Sequence, residues 1–274
     1  MRTNHVRRRL EVGEPSVGTW LSLPSPEVAE YLGRLGFDWL NIDAEHSAVD
    51  VRTMAQMFSA IASSGVAPSV RIPWNTAENI KRALDAGAWG IVVPMVNSRE
   101  EAERAVHAAR YYPQGARSVG GSRHALSFAG NAADYYARAN DEIHLVLQIE
   151  HIEGVENADD ILSVPGIDGC FIGPNDMAAS MGLGLGVPLE SDEPRLVEAI
   201  EHVRDAAVRN GVAPGIHCSS AAAVNQRIDE GFLFLAMASE LRYMLASLGE
   251  AIKELSWEQS SRDDRAAGAE AVRY

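Results

Sequence analysis

Lysine is nearly absent from this 274-residue chain: Lys81 and Lys253 are the only two, so arginine makes up almost all of the 24 basic residues. Cysteine is equally sparse. Cys170 and Cys218 stand alone with no C-x-x-C spacing, which excludes a disulfide framework and suits a reducing compartment. The longest apolar runs, such as 232–238, fall far short of the ~20 residues a spanning helix needs. No membrane segment is expected. Four arginines lie within the first nine residues, but Glu11, Gly13 and Glu14 stand where a signal peptide would place its apolar stretch, so a cytoplasmic protein is expected. Basic charge is in deficit too, with 38 acids giving a net charge of −14. That balance argues against sequence-independent nucleic-acid binding, which needs a basic surface to neutralise phosphates. A small anionic substrate held by a few arginines remains compatible with it.

Short aliphatic runs alternate with longer amphipathic segments, the pattern of repeated βα units. Eight strands are predicted, at 17–21, 39–43, 69–72, 91–95, 145–150, 170–173, 215–217 and 232–237. Each is nearly all apolar, as strands covered on both faces should be. Met54, Met57, Phe58, Ile61 and Ala62 form one apolar helical stripe. Ser25-Pro26 and Ser98 with Glu101 mark helix starts, and Gly36, Gly65, Gly87, Gly211 and Gly231 mark helix ends. A single (βα)8 TIM barrel over residues 17–255 fits this best, after a lead-in over 1–16 and before a frayed tail over 256–274. Periodicity alone leaves a doubly wound open sheet possible. The spacing breaks between strands four and five and again at 182–194, and both breaks read as insertions at one end of the barrel. The first, with Tyr111, Tyr112, Arg117 and Arg123, reads as a working loop.

Active sites of such barrels lie where strands end and βα loops begin. Four polar clusters sit there: Asp43-Ala44-Glu45-His46, Arg71-Ile72-Pro73, Gln148-Ile149-Glu150 and Gly173-Pro174-Asn175-Asp176. Gln148 and Glu150 share one strand face and would be costly inside an aliphatic barrel unless they bind something. Glu150 with Asp176 offers two carboxylates to a hard divalent cation; the alternatives are an arginine pair or a helix cap. His46, in acidic company, is a candidate general base. Arg71 has no acidic partner nearby in sequence and reads as a clamp for an oxyanion or enolate. The glycines at 182, 184 and 186 lack the Lys-Ser/Thr of a phosphate loop and read as a connector. His217 and Cys218 point to opposite strand faces, so a nucleophile pair is not expected, although one of them could touch substrate. His124 and His151 either touch substrate or face solvent, and the latter is expected.

Taken in order from Gly18 to Leu248, these clusters resemble the HpcH/HpaI aldolase family of metal-dependent class II pyruvate aldolases, related to citrate lyase β subunits. The carrying segments are 36–46, 70–73, 93–96, 112–120, 148–150 and 171–176. The resemblance implies a TIM barrel in which Glu150 and Asp176 bind Mg2+, Mn2+ or Co2+, with pyruvate chelating that ion. By the same resemblance, main-chain N–H groups near Asn175 and Asp176 meet the carboxylate, within the segment that also contains Gly173 and Pro174. Arg71 would stabilise the enolate, Gln148 would position ligands, and His46 in a dyad with Asp43 would manage proton transfer. A C-terminal helix exchanged between subunits of a trimer or hexamer is also implied. This chain departs from the usual pattern at His217-Cys218-Ser219 and at Ala238-Ser239-Glu240, which flank the aldehyde side.

The expected reaction is reversible cleavage of a 4-hydroxy-2-oxo acid to pyruvate and an aldehyde. Aldol chemistry in a barrel uses either a lysine Schiff base or a metal-held enolate, and neither lysine lies at a strand end. The alternatives are decarboxylation of oxaloacetate or a related enolate-forming reaction, a CoA-ester lyase, for which no basic phosphate site is evident, and a non-catalytic barrel that binds an oxo acid.

Overall fold

The computed structural model describes residues 1–256, so the expected tail lies, but for its first residue, outside the described residues. Eight parallel strands close into a barrel in sequence order. They are β1 (Ser16–Leu21), β2 (Trp39–Asp43), β3 (Ala67–Arg71), β4 (Gly90–Val93), β5 (His144–Ile149), β6 (Gly169–Ile172), β7 (Gly215–Cys218) and β8 (Phe234–Ser239). Each coincides with an expected strand to within two residues at either end. The first helices are α1 (His5–Glu11), α2 (Pro26–Leu32), α3 (Val51–Ser63), α4 (Ala77–Ala86) and α5 (Arg99–Ala109). Then follow α6 (Arg123–Ser127), α7 (Ala132–Glu142), α8 (Ile152–Glu156), α9 (Ala158–Leu162) and α10 (Pro174–Ser180). The last three are α11 (Pro194–Arg209), α12 (Ala221–Asp229) and α13 (Glu240–Lys253). The open doubly wound sheet is thereby excluded.

Local signals explain the boundaries. The Ser25 hydroxyl accepts from Val28 N–H with Pro26 in the first turn, and the Ser98 hydroxyl accepts from Glu101 N–H. The Glu101 carboxylate reaches back one residue further than a standard capping box, to Asn97 N–H at 2.7 Å. Gly87, with φ 120°, ends α4 in a conformation that a β-carbon would strain. The apolar stripe of α3 is buried along its whole length against the barrel. Inside the barrel, Trp39 stacks on Phe234 at 4.3 Å, and His144 and Phe171 meet Phe234 edge-on. Among the described residues, no helix is long and apolar enough to cross a membrane.

The N-terminal end of the barrel is closed by buried polar contacts. Asn4 donates to the carbonyls of Trp89 and Glu142, while its own N–H donates to the Glu142 carboxylate at 2.7 Å. Arg110 is fully buried and donates to the carbonyls of Asn140, Ile143 and Gly166 and to Asp168 at 2.6 Å. The 110–143 insertion belongs to this end, which corrects its reading as a working loop. It follows α5, a helix that runs away from the C-terminal end of β4, so it returns to β5 from below. Its interior is a packed aromatic cluster. The Arg117 guanidinium lies 4.6 Å over the Tyr111 ring and donates to the Tyr135 hydroxyl and to Asp85, both at 2.8 Å. His124, expected at the surface, is buried against Tyr135 at 4.0 Å. The other insertion, at 182–194, follows β6 and lies at the opposite end. The two breaks in spacing thus fall at opposite ends of the barrel.

Helix α13 buries only Glu240 and leaves Tyr243, Met244, Leu245, Leu248 and Ile252 exposed.

Removing one partner of a buried ion pair leaves the other charge uncompensated, at a cost of about 3–5 kcal/mol. Arg110→Ala should therefore lower the unfolding free energy by about 3 kcal/mol or more in urea titrations. A change below about 1 kcal/mol would show that water takes over its role.

Candidate active site

The C-terminal strand ends bring the expected polar clusters to one mouth. Asp43 pairs in register with Arg71 across β2 and β3, which places carboxylate and guanidinium side by side. Arg71 Nη2 donates to Asp43 Oδ2 at 2.8 Å and Arg71 Nε to Asp43 Oδ1 at 3.1 Å. Glu45 Oε2 lies 3.1 Å from the same Nε. The guanidinium also rests 4.6 Å over the Trp20 ring. Burial works against its charge, but Asp43 and then Glu45 and Glu150 hold Arg71 above the usual arginine range.

The Asp43–His46 dyad is not formed. Asp43 Oδ1 is taken by Arg71 and by the main-chain N–H groups of Glu45 and His46, so Asp43 shapes the loop and clamps the arginine. The His46 ring is 59% exposed, and its nearest carboxylate is that of Glu45, at 3.7 Å. The resemblance implied the dyad, but the guanidinium on the neighbouring strand captures the aspartate instead.

Glu150 is buried. Its Oε1 accepts from Met95 N–H at 2.9 Å and its Oε2 accepts from Gln148 Nε2, leaving Gln148 Oε1 without a partner. Met95 makes this contact at φ 53°, a conformation costly for a side chain of this kind. Gly173 adjoins the same carboxylate so closely that a β-carbon there would lie 2.7 Å from Oε2. Pro174 opens α10, whose first-turn N–H groups, including those of Asn175 and Asp176, receive no side-chain cap. Asp176 is therefore not the helix cap. It sits exposed in the first turn, close enough to Glu45 to raise the latter's pKa.

Burial pushes Glu150 up to about 7, with Met95 N–H, Arg71 and Gln148 opposing. Burial also pushes Glu45 up to about 7, opposed by Arg71 and reinforced by Asp43 and Asp176. Among the described residues, the carboxylates of Asp43, Glu45 and Glu150 act on the Arg71 guanidinium and Asp176 adds its charge beside Glu45, an imbalance that a bound cation would relieve. Among the described residues, no three acidic, histidine or cysteine groups converge as a complete ligand cage. Two carboxylates at an open mouth suit a hard divalent ion that takes its remaining oxygens from water and substrate. The residues present fit such an ion.

Strand registers place the inward side chains in layers, as barrels of this kind require. Arg71 pairs with Val92 and Val92 with Val146; Gln148 pairs with Phe171; Ile172 pairs with Ile216; His217 pairs with Ala236, which pairs with Gly18; and Trp20 pairs with Asn41. One cross-section therefore contains Trp20, Arg71, Gln148 and His217, contributed by alternate strands. The Trp20 ring meets the His217 ring at 5.8 Å, as this placement demands. Sequence reasoning missed Trp20; its position two residues after Gly18 on an inward strand face was the available signal. Cys218 faces the other way and is buried, so the two do not act as a pair.

The elevated carboxyl groups give a pH dependence of known sign. Between about pH 4.5 and 7 the folded chain keeps a proton on Glu150 that the unfolded chain has lost, so this residue's contribution to stability falls as pH rises. His144 and His217, held by burial at about 4, act in the opposite sense and cancel in a comparison of variants. Glu150→Gln should therefore gain thermal stability relative to the metal-free parent as pH rises from about 5 to about 8. A difference that stays constant over that range would contradict the assignment.

The family model for HpcH/HpaI aldolase/citrate lyase matches residues 16–246. A 5-keto-4-deoxy-D-glucarate aldolase of Escherichia coli (strain SMS-3-5 / SECEC) is 38% identical over 238 residues, covering 87% of this chain and 91% of its own. Among solved structures, a HpcH/HpaI aldolase/citrate lyase family protein from Burkholderia cenocepacia J2315 superposes with a TM-score of 0.84 at 35% identity, over 92% of this chain and 99% of its own. Macrophomate synthase superposes with a TM-score of 0.80 at 28% identity, over 91% and 89% of the two chains. With its closed barrel and its polar strand ends, this chain belongs to the HpcH/HpaI aldolase/citrate lyase family of aldolase-type lyases.

Proposed function

We propose that this lyase is a divalent-metal-dependent pyruvate aldolase, cleaving a 4-hydroxy-2-oxo acid to pyruvate and an aldehyde. One observation carries the reading: Arg71 and Gln148 share a barrel layer directly beneath Glu150, so a guanidinium and a buried carboxylate address the same small volume. The substrate of the E. coli relative, 5-keto-4-deoxy-D-glucarate, is chemically such an acid, since its oxo group neighbours a carboxylate and is two carbons from a hydroxyl.

Glu150 and Asp176 would hold the cation, Mg2+, Mn2+ or Co2+. When bound, it supplies positive charge against the enolate that carbon–carbon cleavage leaves behind. Arg71 donates to the keto oxygen and gains strength as that oxygen becomes anionic. Gln148 holds the Glu150 carboxylate in place, and Gly173 leaves the space beside it open. The uncapped N–H groups at Asn175 and Asp176, after Pro174, meet the substrate carboxylate. His46 takes the proton of the 4-hydroxyl. The C3–C4 bond then breaks, the aldehyde carbonyl forms, and the electron pair passes into the enolate, which takes up a proton to give pyruvate. The only lysines, in α4 and α13, lie outside the barrel interior, so a Schiff-base route has no amine to use. We further read the protein as a cytoplasmic homo-oligomer, a trimer or hexamer that exchanges α13. The exposed apolar side chains of that helix support this.

Exchange of the pyruvate methyl protons with deuterated water tests the half-reaction directly. It should require added Mg2+ or Mn2+, stop with EDTA, and fall at least 100-fold in Arg71→Ala and Glu150→Ala. Undiminished exchange by metal-stripped protein would overturn the reading. Oxaloacetate decarboxylation that far outpaces aldol cleavage would replace it with a decarboxylase.

A further inference from the structure

The cross-section that contains Arg71 and Gln148 holds one polar side chain with no part in the proposed chemistry. His217 lies on β7, four strands from Arg71 on β3 and so on the far side of an eight-stranded barrel. Both touch the Trp20 indole, Arg71 over its face and His217 against its ring. The shared indole contact puts His217 within reach of the other half of a ligand whose keto oxygen lies at Arg71.

The imidazole is prepared for one kind of contact. The Ala238 carbonyl accepts a hydrogen bond from the ring, and Nε2 is buried without a partner. A ring that donates through Nδ1 carries a lone pair on Nε2, provided it is neutral. Burial, with the Arg71 charge adding to it, holds His217 down to about 4, so it is neutral at physiological pH. Ala238 itself sits at φ 48°, a strained conformation for a residue with a β-carbon. Such strain persists where the surroundings enforce it, and here it belongs to the residue that fixes the imidazole tautomer.

We propose that His217 is a specificity-determining residue that accepts a hydrogen bond through Nε2 from a hydroxyl on the aldehyde half of the substrate. This rests on the aldolase reading and narrows it to hydroxylated aldehydes, of which hydroxyacetaldehyde is the smallest. An unpaired buried acceptor disfavours an apolar group in the same place, so the site discriminates against an aldehyde with methyl in place of hydroxyl.

Hydroxyacetaldehyde and propanal form such a matched pair. With pyruvate and Mg2+, the wild type should prefer hydroxyacetaldehyde in kcat/KM by about tenfold or more. His217→Leu should bring the ratio near one through the aldehyde KM, with the pyruvate KM little changed. His217→Phe keeps a ring without nitrogen and serves as a second variant should leucine disturb folding, whereas His217→Gln, which retains an acceptor oxygen, should recover part of the preference. A preference that persists in both apolar variants, or a wild-type ratio near one, overturns the inference and leaves the aldolase reading standing if pyruvate methyl exchange is intact. Absence of that exchange in the wild type overturns both.

Discussion

The site is organised by the pairing of Arg71 with Asp43 across neighbouring strands. Among the described residues it is the guanidinium that acts on both Glu45 and Glu150, and its position is fixed three ways: two hydrogen bonds to Asp43, the Glu45 carboxylate, and the Trp20 face beneath it. A flexible ammonium could not make these planar contacts together. Fixing Arg71 leaves the remaining carboxylates undercompensated, and that imbalance is what supports the proposed cation site.

The two ends of the barrel use buried polar groups differently. At the N-terminal end, Asn4, Arg110, Glu142 and Asp168 complete one another's hydrogen bonds, and the result is a closed floor. At the C-terminal end, Gln148 Oε1, Trp20 Nε1 and His217 Nε2 are buried and unpartnered. The satisfied groups stabilise the floor, and these three unpartnered atoms lie toward the strand ends where active sites of this fold are built.

The fold was legible because its signals are local. Apolar strand runs, the Ser25 and Ser98 caps and the α3 stripe each need only a few adjacent residues. Four strand-end clusters followed from the barrel rule. Arg71 was isolated in sequence because its partner lies 28 positions away, and only the β2–β3 register brings them together. The Asp43–His46 dyad that the resemblance implied fails for the same reason, since the partner that Asp43 takes lies on the neighbouring strand. The 110–143 segment misled for a topological reason: its tyrosines and arginines resemble a binding loop, yet the direction of α5 carries them to the structural end. The inward face of His217 could be read from strand alternation, but its neighbours Trp20 and Ala238 come from β1 and β8.

In the proposed reading, the acidic mouth around Arg71 binds one divalent ion by displacing protons from carboxyl groups that burial holds near neutrality. Calorimetric titration of the metal-stripped protein with Mn2+ at about pH 6.5, in two buffers of different ionisation enthalpy, measures stoichiometry and proton release together. One ion per chain, with net release of a fraction of a proton or more that shrinks in Glu150→Gln, is the expected result. Absence of saturable binding at millimolar Mn2+, or binding with no proton release, would contradict it.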